Sequence, residues 1–337
     1  YRHGRATLER FISEGVLTQD ERPSYYVYEL TMGSHVQRGV VLLASVEDYD
    51  RNIVRKHEFT RPDKEDDRVH HMEILGAQSG TVFLCHRDSE AIDGLVTRVC
   101  ETAAEFDFTA PDGVRHRVWT VSGDETDALT KGFADAGPIY IADGHHRSAA
   151  ASRVSSGKSG DSHQGFLCVS FPASQMQILP YNRWVFDTNG HTLEGLLAKL
   201  REHFQVSEGK PASTELAQFG MYLAGAWYTV RVPENQIDRS DPVARLDVAL
   251  LQDLILRPML AIDDPRTSDR IAFVGGIRGD GELEKRVNAS GGVAFSMHPT
   301  PIEELFAIAD AEQVMPPKST WFEPKLRDGL FTHLLTD

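Results

Sequence analysis

The string Asp143-Gly144-His145-His146-Arg147 carries the residue types that a phosphate-binding turn needs. It follows a short apolar run, 138–142, and leads into a small-residue stretch, 148–154, so it reads as strand, turn and helix. A helix N-terminus offers N–H groups with no intrahelical partner and a partial positive charge, which suits phosphate. Gly144 allows close backbone approach and tolerates positive φ. Arg147 adds a planar fork for phosphate oxygens. His145 and His146 can donate hydrogen bonds, and become cations if their pKa is raised. Asp143 can cap the helix or reach a metal ion. A lone Asp-Gly would read as an ordinary capped helix. The full five-residue string after a β-run favours function.

A second constellation is His57-Glu58-Phe59-Thr60, followed by Lys64, Glu65 and Arg68. Glu58 offers a general base and His57 a neighbour that tunes it. If 62–68 is helical, Lys64 and Arg68 share a face at i, i+4 and add positive charge to an acidic protein. On spacing alone, a salt-bridged surface helix explains this run better. It is not a zinc-protease signature, because Arg61 stands where the second histidine of H-E-x-x-H belongs. His70 and His71 lie nearby, at a spacing that does not suggest a metal site. The third constellation is Lys318-Ser319-Thr320, stiffened by Pro316 and Pro317. It suits a carboxylate or phosphate, but lacks the glycines of a P-loop, and Ser319 lacks a nucleophile-elbow context. The turn at 179–183 is ambiguous and more often structural.

These residues need elements to hold them. Apolar spacing predicts a helix over 8–16 ending near Gly15, then a hairpin of strands 25–30 and 39–46. Residues 51–68 read as a solvated helix or loop. Further expectations are strand 81–86, amphipathic helix 91–106, strand 115–121 and a helix over 124–136. Residues 155–164, rich in Gly and Ser, read as a mobile surface loop before strand 165–171. Then come helix 193–204, a strand or strand pair over 221–232, helix 243–256, strands 271–274 and 293–297, and helix 302–311. Strands and helices interleave, so the fold class is α/β or α+β.

Composition sets the limits. The 337 residues are 41% hydrophobic and 25% charged, with a net charge of −15 at pH 7. This is a globular profile, long enough for one large domain or two ordinary ones. No apolar run reaches the length of a membrane span, so no membrane partner is expected. The negative charge opposes nucleic-acid binding and requires any nucleotide site to be locally positive. Cys85, Cys100 and Cys168 are widely spaced and read as reduced, buried thiols of a cytoplasmic protein. The chain starts at Tyr1 inside an apparent helix, which suggests that sequence precedes it.

Residues 141–150 resemble the phosphate-binding box of the ParB/sulfiredoxin superfamily, and the Asp-Gly-His-His-Arg version looks most like its free-serine kinases. Those enzymes are similar in two further motifs in the same order, matched here by His57-Glu58 and by Pro317-Lys318-Ser319-Thr320. The chain also resembles, over nearly its full length, the DUF1015 family, through His57-Glu58-Phe59-Thr60, Lys64-Glu65-Asp66-Asp67-Arg68, the 143–147 string and Met315–Thr320. The resemblance implies a ParB/sulfiredoxin-like nucleotide-binding core over 1–183, an inserted α/β region over 184–310, and a segment over 311–337 that returns to the site. It implies Glu58 as general base with His57 beside it. It assigns nucleotide phosphates to Asp143, Gly144, His145, His146 and Arg147, and substrate contacts to Lys64, Arg68, Lys318, Ser319 and Thr320. Magnesium would bridge the phosphates with help from Asp143, with ATP or ADP as donor and free L-serine or a similar small hydroxy compound as acceptor. The alternative is a nucleotide-binding regulator without turnover. The chain departs from the compact serine kinases in its large insertions, around 69–137 and 184–310, and in Arg61-Pro62 after the His-Glu box. Acceptor identity, the choice between ATP and ADP, and oligomeric state, a homo-oligomer included, stay open.

Overall fold

A computed structural model describes every residue except 159, 212–214, 336 and 337. The fold is mixed α/β, in two compact units: residues 1–177 with 324–337, and residues 178–323. The sequence reading drew its boundaries at 183 and 310. The tail therefore divides at 323, and only its last part belongs with the first unit.

The first unit contains helices α1 (Arg2–Ser13), α2 (Val46–Asp50), α3 (Pro62–Leu75), α4 (Glu90–Cys100), α5 (Asp124–Asp135) and α6 (His145–Ser155). Its strands include β1 (Tyr25–Met32), β2 (His35–Ser45), β3 (Val54–Arg55), β4 (Ala77–Gln78), β5 (Val82–His86), β6 (Phe106–Thr109), β7 (Arg115–Val121), β8 (Ile139–Asp143) and β9 (Gly165–Pro172), and His333–Leu334 pairs with β4. Among the described residues, an eight-stranded sheet runs in the order β3-β8-β5-β9-β2-β1-β7-β6. The β3–β8 and β5–β9 pairs are parallel and the others antiparallel. β5 and β9 are buried at every position, as strands covered on both faces must be. Ala149, Ala150, Ala151 and Val154 of α6 pack with Leu84, Ile141, Phe166 and Cys168 of the sheet. Ile92, Leu95, Val96 and Val99 of α4 form a second cluster with Val27, Trp119 and Leu129.

The expected helix over 91–106 stops at Cys100, and Phe106 instead begins edge strand β6, paired to β7. Helix α6 starts at His145, three residues earlier than expected, because Gly144 makes the whole turn alone. The loop expected at 155–164 contains a 3-10 turn at Asp161–His163; its Ser159 lies outside the described residues.

Among the described residues, the second unit is built on a six-stranded antiparallel sheet, in the order Gln205–Glu208, Ala226–Arg231, Gln218–Leu223, Val293–Ser296, Tyr181–Val185 and Ile271–Gly275. Helix Asp280–Ser290 supplies Leu283 and Val287 to a core with Tyr222, Val274 and Ala294. The single helix expected over 243–256 is instead Asp247–Leu251, a π-helical turn over Gln252–Leu256 and a last turn Arg257–Leu260. Pro258 has no N–H to continue the regular ladder, which accounts for the wider turn before it. Among the described residues no helix is long and apolar enough to cross a membrane.

Candidate functional site

The 143–147 turn sits where β8 meets α6. Opposite β5 the register slips: Phe83 faces Asp143 and Leu84 faces Ile141, leaving Ala142 as the extra residue. Such a bulge re-aims the strand end. Gly144 follows at φ +111°, a conformation that L side chains rarely adopt. A Cβ there would lie 2.9 Å from both Nε and Nη2 of Arg147, so the guanidinium lies directly against the glycine backbone. Arg147 Nη2 is 3.7 Å from Asp143 Oδ1, and its Nη1 is 3.8 Å from Asp328 Oδ1. Lys325 Nζ donates to Asp143 Oδ2 at 2.9 Å. Two cations thus gather at the end of α6 in a protein of net charge −15.

The two histidines do something the sequence did not suggest. The His57 backbone N–H donates to His145 Nε2 at 3.4 Å, and the Arg61 backbone N–H donates to His146 Nε2 at 3.1 Å. Consecutive imidazoles at the start of α6 therefore latch both ends of the 57–61 loop, which carries Glu58. An Nε2 that accepts must leave the proton of the neutral ring on Nδ1. For His145 that Nδ1–H lies 3.8 Å from Glu58 Oε2. His145 is buried, and its pKa falls well below the ordinary value, first through burial and then through His57, His146 and Lys56. The lowered pKa opposes a cationic role for His145, and its Nε2 is engaged by the His57 N–H. The His146 Nε2 is likewise occupied by Arg61.

The His57 ring packs edge-on to His145, with centroids 4.5 Å apart, and its Nδ1 is buried with no hydrogen-bond partner among the described residues. Burial pushes its pKa down to about 4, opposed by the Asp143 carboxylate and the Ile141 backbone. His86, buried beside Ser170 on the same sheet, is also pushed down to about 4 by burial. Both rings bind protons less readily folded than unfolded, so acid favours the unfolded chain. Their stabilising effect is complete above pH 6.5 and is lost as pH falls toward 4. For His57 the shift corresponds to about 3 kcal/mol. Urea unfolding at intervals between about pH 7 and pH 4 is expected to show this slope, reduced in His57→Gln. An equal slope in the variant would mean that His57 is not the group responsible.

The second motif is also anchored to α6. Thr60 Oγ1 donates to Glu65, whose other oxygen is 3.3 Å from Arg153 Nη1; Arg153 Nη2 reaches Asp66 at 2.7 Å. Helix α3 therefore turns Glu65, Asp66 and Val69 toward α6 and its core. Lys64 and Arg68, expected near substrate, are exposed, with Arg68 beside Asp67 at 3.8 Å. Lys318, Ser319 and Thr320 belong to the second unit. Ser319 is buried, its hydroxyl donates to the Pro316 carbonyl, and its own carbonyl accepts from Thr300 Oγ1. That hydroxyl is therefore engaged within its own turn. Lys318 takes φ +59° and its Nζ lies 5.4 Å over the Tyr181 ring.

Asp143 was also the expected magnesium ligand. Its carboxylate lies between Lys325 Nζ and Arg147 Nη2, and among the described residues no group of three His, Cys, Asp or Glu could hold a metal. The protein side chains alone do not form a magnesium cage here; an ion bridging nucleotide phosphates would need only one or two carboxylates, and Asp143 would offer one in competition with the two cations. Sequence reasoning missed Lys325 and Asp328. They lie far along the chain from Arg147, and no local spacing marks them.

A family profile described as "Protein of unknown function (DUF1015)" matches residues 1–249. The chain belongs to the DUF1015 family. No curated protein matches it. This DUF1015 chain is distantly similar to several solved structures, among them the following. A free serine kinase variant in complex with ADP is 12% identical, with a TM-score of 0.41, covering 84% of this chain and 87% of that one. SbnI with C-terminal truncation, from Staphylococcus aureus, is 11% identical, with a TM-score of 0.43, covering 84% and 82%. A conserved hypothetical protein from Pyrococcus furiosus is 12% identical, with a TM-score of 0.38, covering 86% and 93%.

Proposed function

We propose that the 143–147 turn binds the phosphates of ATP or ADP and that Glu58 serves as general base for phosphoryl transfer to the hydroxyl of free L-serine or a similar small hydroxy compound. The observation that carries the reading is the Arg147 guanidinium lying against the left-handed Gly144 at the start of an eleven-residue helix. There the first-turn N–H groups, the helix dipole and a planar cation converge on one place. Phosphoryl transfer asks mainly for positioning, charge neutralisation and a base. In the step, the acceptor oxygen forms a bond to phosphorus, the bridging oxygen leaves with the nucleotide, and the hydroxyl proton passes to Glu58. The histidine latches fix the Glu58 loop to the same helix. They bring together two of the motifs in which the chain resembles free-serine kinases, His57-Glu58 and the 143–147 string.

A second reading is nucleotide binding without turnover. The pairing of Asp143 with Lys325 and Arg147 favours it, since a bridging metal would have to compete with both cations for this carboxylate. Phosphorus NMR with ATP or ADP and L-serine separates the two. The first reading expects O-phosphoserine, and it expects Arg147→Ala to weaken nucleotide binding at least about tenfold, as loss of a charge-assisted contact does. Tight nucleotide binding with no product supports the second reading. No nucleotide binding by the wild type removes both.

A further inference from the structure

The 143–147 turn is short of positive charge for a phosphate. Arg147 has a carboxylate on either side, Asp143 at 3.7 Å and Asp328 at 3.8 Å, in a chain of net charge −15. A guanidinium balanced by two carboxylates attracts an anion weakly, because the field around it is not positive. A second cation is needed. Lys56, next to the His57 latch, is already engaged: its Nζ donates to the Tyr49 carbonyl at 2.7 Å and lies 4.0 Å over the Tyr49 ring. Lys325 is placed differently. Its Nζ donates to Asp143 Oδ2 at 2.9 Å, while Arg147 lies nearest Oδ1 of the same carboxylate. One carboxylate thus holds two cations, one at each oxygen.

The position of Lys325 does not rest on that ion pair alone. The Gly329 backbone N–H donates to the Ser79 carbonyl at 2.8 Å, and the Leu335 N–H to the Gly76 carbonyl at 2.9 Å. The Phe331 ring packs against Tyr28 and Tyr26, with centroids 5.4 and 5.5 Å apart. Arg327 Nη1 is 3.6 Å from Asp112, and His333–Leu334 pairs with β4. These contacts strap residues 327–335 to the first unit. Gly80 lets the strap come close to the turn, since a Cβ there would lie 3.3 Å from Arg147 Cδ and 3.5 Å from Asp328 Oδ1. A lysine at the start of this strap is in place before any ligand arrives, which is what makes a charge effective at a binding site. Its ammonium has three donors, of which Asp143 takes one, and the side chain is 50% exposed, so an anion can reach it from solvent.

We propose that Lys325 is a phosphate ligand of this site: its ammonium and the Arg147 guanidinium hold the nucleotide phosphates from two sides, Asp143 aligns both cations, and Asp328 turns away. The proposal rests on the phosphate reading of the turn. Asp328 is 73% exposed, and such a surface pair is easily given up.

The test is calorimetry on the whole chain with ADP and with inorganic pyrophosphate, which carries phosphates without base or ribose. Lys325→Met is expected to weaken both at least about tenfold, as loss of a charge-assisted contact does. The other contacts of the strap should keep the variant folded, which thermal unfolding checks; Lys325→Gln gives the same reading should the methionine variant fold poorly. Two comparisons separate a ligand from a structural lysine. A lysine that only neutralises Asp143 makes Asp143→Asn/Lys325→Met bind pyrophosphate as Asp143→Asn does, whereas a phosphate ligand leaves the double variant about tenfold weaker. Asp328→Asn removes the other side-chain link between strap and turn, and is expected to bind pyrophosphate at least as tightly as wild type. A loss equal to that of Lys325→Met would show that both residues act only by placing the strap, and would overturn the proposal. Wild-type affinity in Lys325→Met, or equal affinity in the double variant and Asp143→Asn, would overturn it too, and would leave the phosphate turn standing. No binding of either probe by wild type would remove the phosphate reading itself, and this proposal with it.

Discussion

Replacing Glu58 by Gln is expected to lower phosphoryl transfer to L-serine by about 10²–10⁴, the range that a positioned general base contributes, while leaving nucleotide affinity and folding unchanged. The side chain is 57% exposed, so the amide has no burial cost and keeps the shape of the carboxylate. What it loses is the lone pair that would take the hydroxyl proton. The loop stays in place, because its anchors are the backbone N–H groups of His57 and Arg61, not the Glu58 side chain. Single-turnover transfer measured alongside ADP titration checks both halves. A rate equal to wild type would show that Glu58 is not the base. Loss of nucleotide affinity together with rate would show that the carboxylate organises the phosphate turn instead.

Gly144→Ala is expected to destabilise the fold by about 1–3 kcal/mol, the cost of holding a side-chain-bearing residue in a sparsely populated backbone region, and to weaken ADP binding more than tenfold. Two causes act together. At φ +111° alanine is strained, and its Cβ would sit 2.9 Å from Arg147 Nε and Nη2, so the guanidinium must leave the turn. Gly113→Ala separates them. Gly113 has φ +85° but no atom within 4 Å of a built Cβ, so it carries the backbone strain without touching Arg147. Urea unfolding should register both variants, and ADP titration only the first. If Gly144→Ala binds ADP as wild type does, the phosphates do not depend on Arg147 lying against the glycine.

Much of this was legible in the residues. Alternation and apolar runs placed β1, β5, β7 and β9 within a few residues, because those strands bury entire faces. The Asp-Gly-His-His-Arg string announced a strand–turn–helix, and the structure has one. The role of the histidines was not legible. An imidazole that accepts from a backbone N–H 88 residues earlier leaves no trace in local spacing. The same holds for Lys325, whose partner Asp143 is 182 residues away. Helix α4 was overextended because Ala103 and Ala104 continue a helix-compatible run, whereas Phe106 and Phe108 pair as an edge strand whose side chains stay exposed. Lys64 and Arg68 share a helix face as expected, yet it is their neighbour Glu65 that meets Arg153 of α6.

The chain leaves the first unit after Gln177 and returns to it at Pro324. Asp143, the glycine turn and both latching histidines are therefore synthesised long before Lys325 and Asp328, with the whole second unit in between. At bacterial or eukaryotic elongation rates of about 5–20 residues per second, that interval is on the order of ten seconds. During it the nascent first unit can close its sheet from β1 to β9, with Arg147 beside Asp143 but Lys325 not yet made. The charge balance of the phosphate turn is completed late, by a segment that arrives after everything else in the unit has been made. A nascent chain halted between the two units would carry the turn without Lys325 beside Asp143 and without Asp328 beside Arg147.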